Sequence, residues 1–344
     1  MTRTLRRFAL VLVLALSFAP PARAEFNDII TGARPAGMGG AFVALADDIN
    51  ALYWNPAGLT LSKQMQIGLM HAEEMTPTLG PAVTTDFGGW TSGNSGYGAM
   101  GISGLRQGLS DILQERTIGI SYGLALNPFS RVGLTLKSLA LSTTPQGRYF
   151  PDPALVDSST IGVDVGLIHI VTPDLRFGLL ARNFFARLGV VERADVHKTY
   201  RLGTAFRLHT ELIDEDYLWF TLDLFTKEDI KDQAGTKIRT GVGAEWQLTP
   251  WFAVRAGVDR DRWTAGVGVT ALGLSVDYAL EQEQDAVGTS QRISLTYRFG
   301  GEIHVDRQES HVRHRPEPEY KAPPAFERRP AQPAQKRSKP RPEG

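Results

Sequence analysis

Between Met65 and Phe299 the chain repeats one pattern, runs of eight to twelve residues that alternate apolar with small or polar, each ended by a break. A period of two is the period of a strand with two unlike faces. In 237–248, Ile238, Thr240, Val242, Ala244, Trp246 and Leu248 share one face, and Arg239, Gly241, Gly243, Glu245 and Gln247 the other. In 273–281, Leu274, Val276, Tyr278 and Leu280 oppose Ser275, Asp277 and Glu281. An apolar face outside and a glycine-rich, charged face inside fit a lipid-embedded barrel, although a soluble sandwich alternates too.

Connection lengths separate the two. About fourteen candidate strands can be counted, joined by connections that alternate long (74–82, 107–115, 142–158, 185–198, 227–236, 282–290) and short (92–95, 127–130, 171–173, 249–250), with 260–261 a short outer connection and 211–215 a somewhat long inner one as exceptions. Transmembrane barrels have short turns at the periplasmic end and longer loops outside. The short turns LNPFSRVGL, VTPDLRFGL and LTPWFAVRAGV also resemble one another. Proline, which cannot donate to a ladder, belongs at the turn. The last strand, RISLTYRF, sets Ile293, Leu295, Tyr297 and Phe299 on one face.

Residues 1–24 read as a cleavable secretory signal, with Arg3, Arg6 and Arg7, an apolar run from Phe8 to Ala19, and the small-x-small site Ala22-Arg23-Ala24. The apolar run is shorter than the roughly 20 residues of a membrane helix. The absence of Cys excludes disulfides, thiolate metal sites and a lipid anchor at the mature N-terminus. The balanced charge argues against a nucleic-acid partner, and removing the four arginines of the signal leaves roughly −4. Residues 301–344, rich in Pro, Arg, Lys and Glu, lack the aliphatics to fold and read as a disordered periplasmic tail.

The segment 33–59, ARPAGMGGAFVALADDINALYWNPAGL, precedes the strands. Its glycines permit close backbone approach, an Asp caps a short helix, and Asn-Pro forces a turn. Too short for a domain, it reads as a plug. GMGGAFVALADD followed by ALYWNPAGL is similar to the N-terminal hatch of the FadL-like family of outer-membrane long-chain fatty-acid transporters, and closer still to its PorV/PorQ branch. The resemblance covers 25–300. It implies a bacterial outer-membrane, all-β antiparallel barrel of about fourteen strands at 63–300, with a short helical hatch at 25–62 plugging the lumen. It also implies passive passage of a hydrophobic small-molecule ligand, bound against the hatch and leaving sideways or inward. The hatch residues expected to gate and pack are Gly37, Gly39, Gly40, Phe42, Asp48, Trp54, Asn55 and Pro56, with Asp48 capping the helix that leads to Asn55.

The alternative follows from the PorV branch, whose members serve type IX protein secretion; loops and tail would then dock secretion-system or other periplasmic proteins. No catalytic constellation, cofactor or metal site is expected. The seven His are scattered, there is no H-E-x-x-H or nucleophile elbow, and GMGG has no strand before it to make a dinucleotide fingerprint. The acidic runs at 214–216 and 281–285 read as solvated loops.

Overall fold

A computed structural model describes residues 29–75, 83–109, 113–143, 158–185, 187–188, 194–196, 198–210, 216–228, 236–259, 262–283 and 288–300. The expected signal and tail, and most of the expected long connections, lie outside these residues. The strands are β1 (Met65–Met75), β2 (Val83–Thr91), β3 (Ala99–Leu109), β4 (Leu113–Ala125), β5 (Ser130–Thr143), β6 (Ser158–Thr172), β7 (Leu175–Arg182), β8 (Arg187–Leu188), β9 (Ala194–Asp195), β10 (Thr199–His209), β11 (Tyr217–Glu228), β12 (Thr236–Thr249), β13 (Phe252–Asp259), β14 (Arg262–Ala271), β15 (Leu274–Glu283) and β16 (Thr289–Phe299). All but β8 and β9, which pair with each other, form one closed antiparallel barrel of fourteen strands. Closure is made by β1 against β16, in register from Met65↔Phe299 to Met75↔Thr289.

The alternation sorts as the pattern predicts. Along β15, Val276 and Tyr278 face outward at 41% and 40% exposure, while Ser275 and Asp277 face inward at 3% and 8%. Ile118, Ile120, Leu136, Ile161, Val242 and Trp263 extend the exposed apolar surface around the wall. Water would make such a surface costly, whereas lipid makes it favourable.

The short turns gather at the end where the barrel's first and last strands meet, Met65 opposite Phe299. At one, the Asn127 carboxamide oxygen accepts the backbone N–H of Phe129 (2.9 Å) and Ser130 (2.8 Å), building the tight turn around Pro128. At two others the register slips, between Ile170 and Thr172 and between Gln247 and Thr249, next to Pro173 and Pro250.

Two sequence expectations change. The connection at 107–115 is not long: β3 and β4 stay paired to Leu109↔Leu113, because the ladder runs on through polar positions where the apolar alternation has faded. Nor is the acidic run that starts at Glu281 a solvated loop. Glu281 points into the barrel, 2% exposed, and accepts hydrogen bonds from Arg262 (2.7 Å) and Arg292 (2.6 Å).

Candidate functional site

The hatch fills the bore with short elements. Helix α1 (Ala33–Gly37) is a single turn, α2 (Ala51–Trp54) another, and a 3-10 turn runs over Pro56–Leu61. Helix α1 lies against β13–β16 and the 3-10 turn against β3–β6, so the hatch reaches from one wall to the other. Met38, Phe42, Leu45, Trp54 and Ala57 are fully buried.

Glycines on both sides make the fit. Gly39 and Gly40 turn the chain with φ of 61° and 65°. A Cβ on Gly39 would stand 2.6 Å from the Val242 carbonyl oxygen, and one on Gly37 3.1 Å from the Gly266 Cα. The wall answers in kind: a Cβ on Gly133 would lie 2.2 Å from Pro56, and one on Gly166 2.0 Å from the Asn55 carboxamide oxygen. The inward glycines of the strands are therefore the seat of the hatch.

Buried polar groups then bind it in place. Asn55, capping the 3-10 turn, accepts the Ala57 N–H (3.2 Å) and donates to the carbonyls of Val43 (2.9 Å), in the hatch, and Leu167 (3.1 Å), in the wall. The Asp223 carboxylate on β11 accepts the N–H groups of Phe42 (3.0 Å) and Val43 (3.1 Å). Arg201 donates to the Gly40 carbonyl at 3.3 Å, with its guanidinium 4.9 Å from the Trp54 ring. The Trp54 indole N–H donates to Thr31 at 2.8 Å, and its ring meets Phe42 edge-on at 6.2 Å.

At the centre of this network is Arg34. Its Nε and Nη2 fork onto both oxygens of Glu245, each at 2.7 Å, and Nη1 reaches Asp47 and Asp48, each at 2.7 Å. Glu245 is also held by Arg255 at 2.6 Å, and Arg255 reaches Asp277 at 2.8 Å. Burial alone would lower the Arg34 pKa; the carboxylates of Asp47, Glu245 and Asp48 more than offset this and hold it well above its ordinary value. Burial likewise pushes the Tyr53 phenol up.

Gly37, Gly39, Gly40, Phe42, Trp54, Asn55 and Pro56 thus meet at the seam between hatch and wall. Asp48 belongs to the same seam, but its expected helix cap is corrected. The N-cap of α2 is Asn50, with no side-chain cap bond. Asp48 instead closes a local turn onto the Asn50 N–H (2.8 Å) while its other oxygen takes Arg34. Sequence reasoning passed over Arg34, Arg201, Asp223 and Arg255. The available signal was a charge repeated on inward strand faces beside glycines, as in Gly241-Val242-Gly243-Ala244-Glu245.

No family model and no curated protein matches the sequence. Solved structures do. The CymD monoaromatic hydrocarbon channel aligns with a TM-score of 0.54 and 15% identity over 81% of this chain and 100% of its own. The Pseudomonas putida toluene transporter TodX aligns with a TM-score of 0.55 and 12% identity over 80% of this chain and 98% of its own. This chain has the fold of those channels. A closed, even-stranded antiparallel barrel with a lipid-facing apolar exterior is an outer-membrane barrel.

Among the described residues, two cavities adjoin the hatch and another opens on the outer wall. Toward the end away from the short turns, a luminal pocket of about 50 Å³ lies between Leu52, Tyr53, Phe87 and Leu105, room for one or two waters and not for a hydrocarbon. At the short-turn end, a polar vestibule of about 430 Å³ is lined by Arg34, Asp48, Arg255, Asp277 and Arg298. The third, about 720 Å³ and largely apolar, is a notch in the outer wall over β1–β4 and the adjoining β15 and β16. Phe87, Leu105 and Thr117 line both this notch and the luminal pocket. Outside them, Gly88 and Gly104, partners in the β2–β3 register, present no side chain to the lipid.

Proposed function

We propose that this barrel is a passive conduit for small hydrophobic molecules, taken from outside into the lumen above the hatch and released sideways through the wall between β2 and β3. The observation that carries the reading is that Phe87, Leu105 and Thr117 line both the luminal pocket and the apolar notch, where Gly88 pairs with Gly104; exit there requires the β2–β3 ladder, paired from Val83↔Leu109 to Thr91↔Gly101, to part. The axial route is the poorer one. Lifting the hatch breaks the ion pairs of Arg34 with Glu245, Asp47 and Asp48, and breaking a buried pair costs about 3–5 kcal/mol. The vestibule below is charged and would solvate a hydrocarbon badly.

In this reading the hatch is a fixed stopper. Gly37, Gly39, Gly40, Asp48, Asn55 and Pro56 anchor it, Phe42 and Trp54 fill the bore, and gating falls to Tyr53, Phe87 and Leu105. A monoaromatic, the class named for CymD and TodX, and a long-chain fatty acid are the two solutes to try.

The test is uptake of toluene and of a long-chain fatty acid by cells with and without the protein, together with mass spectrometry of whatever stays bound after mild detergent extraction. Faster uptake of an apolar solute, with no gain for a polar solute of equal size, supports the conduit. Unchanged uptake with secretion proteins co-purifying overturns it in favour of the PorV-like reading.

A further inference from the structure

The notch has a second feature, which does not depend on what crosses the wall. His71, Asp86, Arg106 and Arg116 are successive register partners across β1–β4: His71↔Asp86, Asp86↔Arg106 and Arg106↔Arg116. All four face outward and are exposed. The next outward row toward the short turns is Leu69, Gly88, Gly104 and Ile118, and the row beyond it Ile67, Trp90, Ile102 and Ile120. On the other side stand Glu73, Thr84, Gly108 and Gln114. The charged row therefore marks where the apolar exterior ends on this sector, at the level of lipid headgroups and away from the short turns.

Within the row the charge is unbalanced. Asp86 is taken by His71 at 2.7 Å. Arg116 donates to Gln114 at 3.0 Å. Among the described residues neither Arg106 nor Arg116 has a carboxylate partner, although they oppose each other directly on one face, where like charges repel. Immediately below the pair lies the notch, where a Cβ on Gly104 would meet nothing within 4 Å. Two guanidiniums that share Asp86 as their nearest carboxylate, itself bonded to His71, leave a positive excess above an apolar slot, complementary to a phosphate carrying an acyl chain. Guanidinium matches phosphate with paired N–H donors, and the apolar slot accepts the chain attached to it.

We propose that Arg106 and Arg116 hold the phosphate of an outer-leaflet phosphorylated lipid, with one of its acyl chains seated in the Gly88–Gly104 notch.

The test uses the full-length barrel in mild detergent, titrated with phosphorylated lipid A and with the same lipid dephosphorylated. The wild-type protein is expected to bind the phosphorylated form at least about tenfold more tightly. Arg106→Gln with Arg116→Gln should abolish that preference while leaving the barrel's heat-modifiable gel mobility intact, and inorganic phosphate alone should not compete. Gly104→Leu, whose Cβ has open space and whose side chain would occupy the slot, should weaken binding with both arginines present. Equal affinity of the wild type for the two lipids, a comparison that needs no variant, would overturn the proposal, as would an unchanged preference in the Gln pair.

Discussion

Replacing Arg34 by Gln removes the group on which the hatch's ionic network converges. In the folded protein one guanidinium satisfies Glu245, Asp47 and Asp48, and it is 14% exposed while Glu245 is 1% exposed. After Arg34→Gln, Glu245 keeps Arg255, but the Asp47–Asp48 pair loses its nearest cation, leaving Arg176 at 3.7 Å from Asp47. Removing one partner of a buried pair costs about 3–5 kcal/mol, and Arg255 offsets part of that, so about 3 kcal/mol is the expected net loss in hatch docking. That corresponds to roughly a hundredfold rise in the undocked population. Hydrogen exchange followed by peptide mass spectrometry reads it out. Peptides spanning 33–61 should lose about two orders of magnitude of protection while barrel strands away from the hatch keep theirs. Lys cannot reproduce the fork onto Glu245, so Arg34→Lys should fall between wild type and Gln. Protection changed by less than threefold in Arg34→Gln would refute the idea that this network holds the hatch.

Further consequences can be measured separately. Asn55→Ala deletes the bonds to Val43, Leu167 and Ala57; the groups left unpaired should cost about 1–3 kcal/mol, seen as a lower heat-modifiability midpoint and a leak to small polar solutes in liposome swelling. Gly39→Ala forces a side chain into φ 61° and toward the Val242 carbonyl; at about 1–2 kcal/mol for the backbone alone, membrane levels of the protein should drop. Leu222→Arg puts a charge on the lipid face of β11, and at about 2–4 kcal/mol near the bilayer midplane it should slow assembly into vesicles.

The barrel was legible because lipid outside and polar residues inside impose a strict period of two, which Ile238, Val242 and Trp246 against Gly241, Gly243 and Glu245 keep without a break. The ends of the strands were less so: between Gln107 and Glu115 the ladder continues through residues whose polarity mimics a loop. The hatch was visible as a motif, yet the role of its residues was not. Gly39 and Asn55 have meaning only against Val242, Gly166 and Leu167, which lie more than a hundred positions away in the chain. Arg34 and Glu245 are 211 positions apart, a pairing that neither local propensity nor spacing can express. The wall notch was invisible for the same reason, since Gly88 and Gly104 look like ordinary strand glycines until the register sets them side by side.

Release through the wall between β2 and β3 can be switched off and on by a reversible staple. Phe87 and Leu105 are register partners, and the chain has no cysteine of its own, so Phe87→Cys with Leu105→Cys gives a single disulfide at a cross-strand position suited to one. Uptake of toluene should fall when the pair is oxidised and recover on reduction, with hatch protection unchanged. Equal uptake in the oxidised and reduced states would contradict a lateral route and return the path to the axis of the barrel.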